Sequence, residues 1–383
     1  MKSFVDIDFE NNGEYLDLLS AMSKLSGLFS DSDTPYINYR VAEKIFCKSF
    51  SAVNISRADV AYDANYDSTG VGIKTFIANG EEKLEKIAEF NQLSNEINSL
   101  NGEELAIQLG NYRNARIELA NNTYGILGSC YHIVVRKPGK LLIFETDYNK
   151  IDINNINSVM QKKDKTLTFE DGKNYYSYTF SKSTLYRKFI IPENAYQLKV
   201  DIIRDPYELI LSLFKDKKDI IEPPKKLISG LEYLVLPLYG YKSGKKFIFE
   251  KSGLNQWNSG GRSRDFGEVY IPVPIDIHKK FPSFFPSHEF SFNLQIPTGE
   301  IFSAKLCQQN SKALMTKPNR ALSDWLLRKL LQLKEGEIAT IEKLNALGFD
   351  SVVIYKDDEK NYRIDISKSG SYENFINGEM EFY

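Results

Sequence analysis

The sequence predicts two domains of different class: an α/β N-terminal half and a mostly β C-terminal half. Three observations lead there. The chain has 383 residues, and a single hydrophobic core usually stops growing before that length. From Gly13 to Tyr124 helical periods alternate with short strand-like runs, whereas from Tyr131 onward short runs broken by turn residues prevail. Between them and the C-terminal strands lies "KDKKDIIEPPKK", a charged, proline-containing linker. The expected domains are therefore residues 1–222 and 225–383.

The elements follow in order. "GEYLDLLSAMSKLSGLFS" (Gly13 to Ser30) places Leu16, Leu18, Leu19, Met22, Leu25 and Leu28 near the helical period, which predicts an amphipathic helix. Tyr39 to Ala52 predicts a second helix, whose apolar Val41, Ile45, Phe46 and Phe50 leave Glu43 near the buried side. "ADVAYDA" (Ala58 to Ala64) alternates and predicts a strand with Asp59, Ala61 and Asp63 on one face. "VGIKTFIA" (Val71 to Ala78) predicts its hairpin partner after a glycine-containing turn. Gly80 to Leu100 reads as a helix carrying Glu82, Glu85 and Glu89 on one face, with a further helix after it. Past Tyr131, Lys-Pro-Gly and Glu-Asp-Gly mark the turns of hairpins. Beyond the linker the pattern predicts short strands with two helices.

Composition narrows the function. With 42% hydrophobic and 26% charged residues, the chain falls outside the disordered and membrane classes. No apolar run reaches the roughly 20 residues that span a bilayer, and "MKSFVDIDFENNG" lacks the features of a secretory signal. A cytoplasmic protein is expected. Cys47, Cys130 and Cys307 are far apart and odd in number, which excludes a disulfide framework and CxxC zinc spacing. A net charge of -2 leaves nucleic-acid contact to local patches. Two exist, Lys251 to Arg264 and Gln308 to Arg320. His132 in "YHIVVR" reads as an interior strand residue, and Cys130 has no base partner, which argues against Cys-His hydrolysis.

The pairing of acids with a lone lysine is the first chemical signal. Phosphodiester hydrolysis needs acidic oxygens to hold a hard divalent cation and a cationic group to orient water and offset developing charge. Asp59 or Asp63 on one hairpin strand, with Lys74 on the next, meets that need. The second signal is a pair of loops. "KSGLNQWNSGGRSR" offers Lys251, Asn255, Gln256, Trp257, Asn258, Arg262 and Arg264, and "CQQNSKALMTKPN" offers Gln308, Gln309, Asn310, Lys312 and Lys317. Arginine can pair bidentately with guanine, asparagine and glutamine with adenine, and lysine can contact phosphate.

The N-terminal half resembles the PD-(D/E)xK nuclease superfamily, whose pattern is an acid, a hairpin turn, then acid-any-lysine. The triplet here is Gly72-Ile73-Lys74, so the second acid is missing from its usual place. The resemblance implies that a downstream glutamate replaces it: Glu89, with Glu85 and Glu82 behind it. Glu43 resembles the extra helical acid of many such nucleases. The implied metal ligands for Mg²⁺ are Asp59, Asp63 and Glu89. The C-terminal half, through "SGLNQWNSGGRSRDFGEVYIPVP", "IHKKFPSFFP", "SAKLCQQNSKALMTKPN" and "WLLRKLL", resembles the DNA-recognition domain of NgoFVII-like restriction endonucleases, a pseudobarrel of the plant B3 type. That family usually carries a phospholipase D nuclease with histidine-lysine motifs, from which the N-terminal half departs, since "YHIVVR" lacks the HxK spacing followed by Asp.

Together these resemblances imply a type II restriction endonuclease acting on double-stranded DNA with Mg²⁺. They also imply a homodimer on DNA and a cognate DNA methyltransferase in the same system. The alternative is a sequence-specific DNA-binding regulator or sensor with a degenerate nuclease half, which Gly72 favours. A Mg²⁺ nuclease without a cognate methylase and a structural interaction protein are further readings.

Overall fold

The computed structural model describes residues 2–56, 60–163, 165–215, 232–261 and 264–379. It divides into two compact units, Met1–Ile117 with Ile126–Lys225, and Glu118–Gly125 with Lys226–Tyr383.

In the first unit, helices α1 (Phe4–Glu10), α2 (Glu14–Lys24) and α3 (Tyr39–Ser49) cover one face of a sheet. The corner between α1 and α2 is closed by buried Asp8, whose carboxylate accepts from the N–H groups of Tyr15 and Leu16 at 2.8 and 3.0 Å. It thereby satisfies donors that a helix start leaves open. Asn38 caps α3 in the same way through the N–H of Arg40. Phe4, Tyr15, Leu19 and Phe46 pack on Val71, Ile73, Val134 and Leu141 beneath them.

The strands are β1 (Val53–Asn54), β2 (Ala64–Tyr66), β3 (Thr69–Ile77), β4 (Glu82–Glu89), β5 (Gly128–Lys137), β6 (Lys140–Asp147), β7 (Asn157–Lys162), β8 (Thr166–Glu170), β9 (Tyr175–Thr179), β10 (Thr184–Ile190) and β11 (Tyr196–Lys199). Helices α4 (Ser94–Ile97) and α5 (Gly102–Tyr124) fall between β4 and β5. The first sheet has the order β1-β2-β3-β5-β6-β11, and β3 and β5 run parallel. The second is antiparallel, in the order β4-β10-β9-β8-β7. Helix α6 (Tyr207–Lys215) closes the described part of the unit.

Three expectations need correction here. The strand over Ala58 to Ala64 is not formed at residues 60–63, which are irregular, and β2 begins only at Ala64. The hairpin turn is Asp67-Ser68 rather than a glycine turn; both residues have positive φ, 45° and 60°, as a two-residue hairpin loop requires. The helix over Gly80 to Leu100 is strand β4 followed by the short α4. "EEKLEKIAEF" is rich in helix formers, but pairing with β10 overrides that preference.

The second unit contains β12 (Glu232–Pro237), β13 (Gly240–Lys242), β14 (Lys245–Phe247), β15 (Ile271–Pro272), β16 (Phe292–Gln295), β17 (Ile301–Cys307), β18 (Ala313–Lys317), β19 (Phe349–Lys356) and β20 (Asn361–Lys368). Seven of them form one sheet, β12-β19-β20-β16-β17-β18-β15, whose end strands approach each other, so that it is nearly a closed barrel. Only β16 and β20 pair in parallel among the described strands of this sheet. Leu234, Leu294, Leu306, Leu314, Val352 and Ile354 fill its interior together with Trp325 and Leu326. Helices α7 (Ile275–Lys280), α8 (Arg320–Ser323), α9 (Ile341–Leu347) and α10 (Ser371–Asn377) lie in its connections, and α8 runs on into a π-helical turn, Asp324–Leu330. Among the described residues no helix is long and apolar enough to cross a membrane.

Candidate functional site

The first cluster surrounds Lys74. Gly70, Gly72 and Lys74 alternate along β3 and so share one face. Asp63 stands just before β2, where its carboxylate accepts the N–H of Ile73 at 2.7 Å. Its own N–H donates to Val71 O at 2.9 Å, so it is tied to the neighbouring strand by backbone and side chain. Glu43 comes from α3 and is only 7% exposed. Burial pushes its carboxyl up to about 7, the nearby charge of Asp63 adds to that, and Ser56, Lys74 and Arg40 oppose it. Two carboxylates thus compete for negative charge beside one lysine. The same surroundings, burial first and then Glu43 and Asp63, push the Cys47 thiol up to about 12 and keep it protonated.

Glu85 approaches from the second sheet. On β4 it lies opposite Arg187, while a bulge at Ile87 sets Ala88 opposite Leu185 and Glu89 opposite Thr184. One extra residue reverses the alternation, so Glu89 emerges on the same side as Lys86 and away from Glu85. Glu89 is exposed and pairs with Lys86 at 3.0 Å, and the Lys86 hydrogen bond draws its carboxyl below the usual range. Glu82 also lies on that side and pairs with Lys188 at 3.4 Å. Half-buried Glu85 has its carboxyl raised by burial, against the charges of Lys74, Lys83 and Arg136. The shared helical face for Glu82, Glu85 and Glu89 therefore does not exist, and of the three it is Glu85 whose carboxyl feels the charge of Lys74. Asp59 lies outside the described residues. Among the described residues no group of three or more His, Cys, Asp or Glu side chains is placed to hold a metal ion.

The second cluster is the pair of loops on the barrel. The first loop enters β15 at Ile271 and the second enters β18 at Ala313. In the ladder Ile271 faces Leu314 and Pro272 faces Ala313, so the loops leave opposite ends of a two-residue antiparallel pairing. In the second loop Gln308, Gln309, Asn310 and Lys312 are exposed, and Lys317, expected on the same loop, is instead the exposed last residue of β18. Gln308, Asn310 and Ser311 adopt positive φ of 67°, 60° and 53°, a conformation that costs roughly 1–2 kcal/mol for a residue with a Cβ. Strain of this kind gathers at binding loops.

The first loop is partly structural. Asn255 is fully buried. Its amide donates to Phe249 O and Ala339 O and accepts the N–H of Ala339 at 2.8 Å. Its expected base contact is replaced by a clamp on a distant segment. Arg264 is likewise turned inward, donating to Ser259 O and Gly260 O at 2.5 and 2.9 Å and pairing with buried Glu268 at 3.2 Å. Trp257 is half-buried against Phe266, with its indole N–H enclosed and without a hydrogen-bond partner among the described residues. Asn258 is exposed, although its amide donates to Glu250 O at 2.9 Å. Exposed Lys251 and half-buried Gln256 remain at the surface, and Arg262 lies outside the described residues. We expect Asn255→Ala to cost about 1–3 kcal/mol, because it strands buried backbone groups, and to leave base preference unaltered. Urea unfolding and a binding-site selection check this; altered preference with unchanged stability would return Asn255 to the reading surface.

Sequence reasoning missed the aromatic rings packed against Gly70 and Gly72 on β3, those of Tyr62, Tyr131 and Tyr148, and the buried Arg113 on α5. The glycines at 70 and 72 were their signal, since each leaves room for a ring. His132 is an interior residue of β5, hydrogen-bonded to Tyr15 Oη at 2.5 Å and to Glu145 at 2.7 Å.

The second unit is thus a nearly closed barrel with a polar loop leading toward each strand of one short ladder. Comparison with family models then matches residues 231–358 to the NgoFVII C-terminal B3-like DNA-binding domain, a domain of a restriction-enzyme family. A search of curated proteins gives no match.

Proposed function

We propose that this chain is a sequence-specific endonuclease of the restriction type, cutting double-stranded DNA with Mg²⁺. The second unit reads sequence and the first unit cuts. The observation that carries the cutting role is the Asp63 carboxylate held on the N–H of Ile73, the neighbour of Lys74, with buried Glu43 near enough to Asp63 and Lys74 for their charges to act on it. It is supported by the order of elements in the first sheet, a helix bearing Glu43, strands β1, β2 and β3, and then, after β4 and α4 have intervened, helix α5 and strand β5 parallel to β3, which suits a PD-(D/E)xK-like core. The family match and the exposed second loop support the reading role.

Mg²⁺ fits this donor set. It binds through one or two carboxylates and keeps several waters, and Asp63 and Glu43 are two carboxylates whose mutual repulsion a cation relieves. When bound, it would polarise the phosphoryl group and acidify a water. Asp63 and Glu43 would hold the ion, with Asp59 available as a further ligand from sequence. Lys74 would orient the attacking water and offset charge on the phosphoryl oxygens. Glu85 would take the place of the missing second acid and fix Lys74. One such site per chain cuts one strand at a time, so cleavage of both strands calls for two copies on DNA. A methyltransferase of the same specificity would protect host DNA.

Incubation of the protein with unmethylated phage and plasmid DNA, in Mg²⁺ and separately in EDTA, followed by end sequencing, tests this. Discrete fragments in Mg²⁺ alone are expected. Intact DNA in both, with a sequence-specific shift in a binding assay, would establish the second reading, a DNA-binding regulator. Gly72 in place of an acid is the observation that favours it.

A further inference from the structure

Asp63 lies in irregular backbone, yet its surroundings are well built. A Cβ on Gly70 would stand 2.7 Å from the ring of Tyr62, and one on Gly72 would stand 2.6 Å from Tyr148 and 2.9 Å from Tyr131. The two glycines therefore form a trough on β3 that aromatic rings fill. Tyr62, Tyr148 and Tyr131 lie in series there, with centroids 4.7 and 4.1 Å apart, and all three are buried. The guanidinium of Arg113 sits 4.9 Å over Tyr148 and donates to the Tyr131 hydroxyl at 3.0 Å. From this fixed position the Tyr148 hydroxyl donates to the carbonyl of Ala61, two residues before Asp63 and next to Tyr62.

We infer that Tyr148 is a positioning residue for Asp63: its ring occupies the space of the acid that the nuclease motif lacks, and its hydroxyl anchors the Ala61–Asp63 segment so that the Asp63 carboxylate is set for a divalent cation. This rests on the metal-nuclease reading. The rings and the hydroxyl act together. Tyr62 is wedged between Gly70 and Tyr148, and the carbonyl before it is hydrogen-bonded, so the segment is held at both the side chain and the backbone. Groups that orient a ligand in this way typically contribute 10–100-fold to metal affinity.

Mn²⁺ binding to the full chain, followed by calorimetry without DNA, tests the inference apart from cleavage. The proteins compared are wild type, Asp63→Asn, Tyr148→Phe and Tyr362→Phe. The last removes an equivalent buried hydroxyl contact, to Phe284 O at 2.7 Å, in the other unit. Urea midpoints are measured alongside. The expected result is Asp63-dependent binding in wild type, weakened about 10-fold in Tyr148→Phe and unchanged in Tyr362→Phe. Wild-type affinity in Tyr148→Phe, or equal losses in both tyrosine variants, would overturn the positioning role and leave the nuclease reading standing. Absence of Asp63-dependent binding in wild type would overturn the reading and the inference together.

Discussion

Replacing Lys74 by alanine is expected to slow Mg²⁺-dependent cleavage by about 10²–10³-fold, the usual cost of losing one preorganised charge at a reacting centre. Specific DNA binding should persist, because the loops that carry it are built on the barrel of the second unit. The reason for so large an effect is the company Lys74 keeps. Among the described residues it is the cation whose charge acts on both Glu43 and Glu85, and it follows Ile73, whose N–H holds Asp63. Cleavage rate and a gel-shift titration on the same DNA separate the two roles. Full activity in the variant would remove Lys74 from the chemistry and leave these acids without a catalytic function.

Gly72→Asp should make the protein worse, although it writes the missing acid back into the motif. The new Cβ would meet the Tyr148 ring at 2.6 Å and the Tyr131 ring at 2.9 Å. Overpacking of this kind costs about 1–3 kcal/mol, and a carboxylate buried among rings adds a desolvation cost. A lower urea midpoint and slower cleavage are the expected results. Faster cleavage at an unchanged midpoint would mean that the rings yield and that an acid at position 72 can serve the site.

Sequence patterns revealed the local parts of this architecture. The helix bearing Glu43, the strand bearing Lys74, the long helix α5 and the two polar loops each follow from periodicity or turn residues within a short window. What escaped depends on distant partners. Nothing in "EEKLEKIAEF" announces a strand, because its pairing is set by β10, roughly a hundred residues further along, and the bulge at Ile87 that turns Glu89 away from Glu85 exists only within that pairing. Asn255 and Arg264 have the residue types of base readers. Asn255 is withdrawn from that role by the backbone of Ala339, far along the chain, whereas Arg264 is withdrawn by its close neighbours Ser259, Gly260 and Glu268, through a loop conformation that residue types alone do not announce. The glycines at 70 and 72 were visible as letters, but their meaning required the rings above them.

The descent of β4 into the second sheet bears on when the protein becomes able to act. Among the described strands, β4 pairs with β10 alone. A chain synthesised only as far as Asp147 would already contain Glu43, Asp63, Lys74 and the strands β1, β2, β3, β5 and β6 around them. It would lack the strand that holds Glu85 in place. On the nuclease reading, catalytic competence arrives only when Thr184–Ile190 has emerged and paired, so an unfinished chain is disarmed by its own topology.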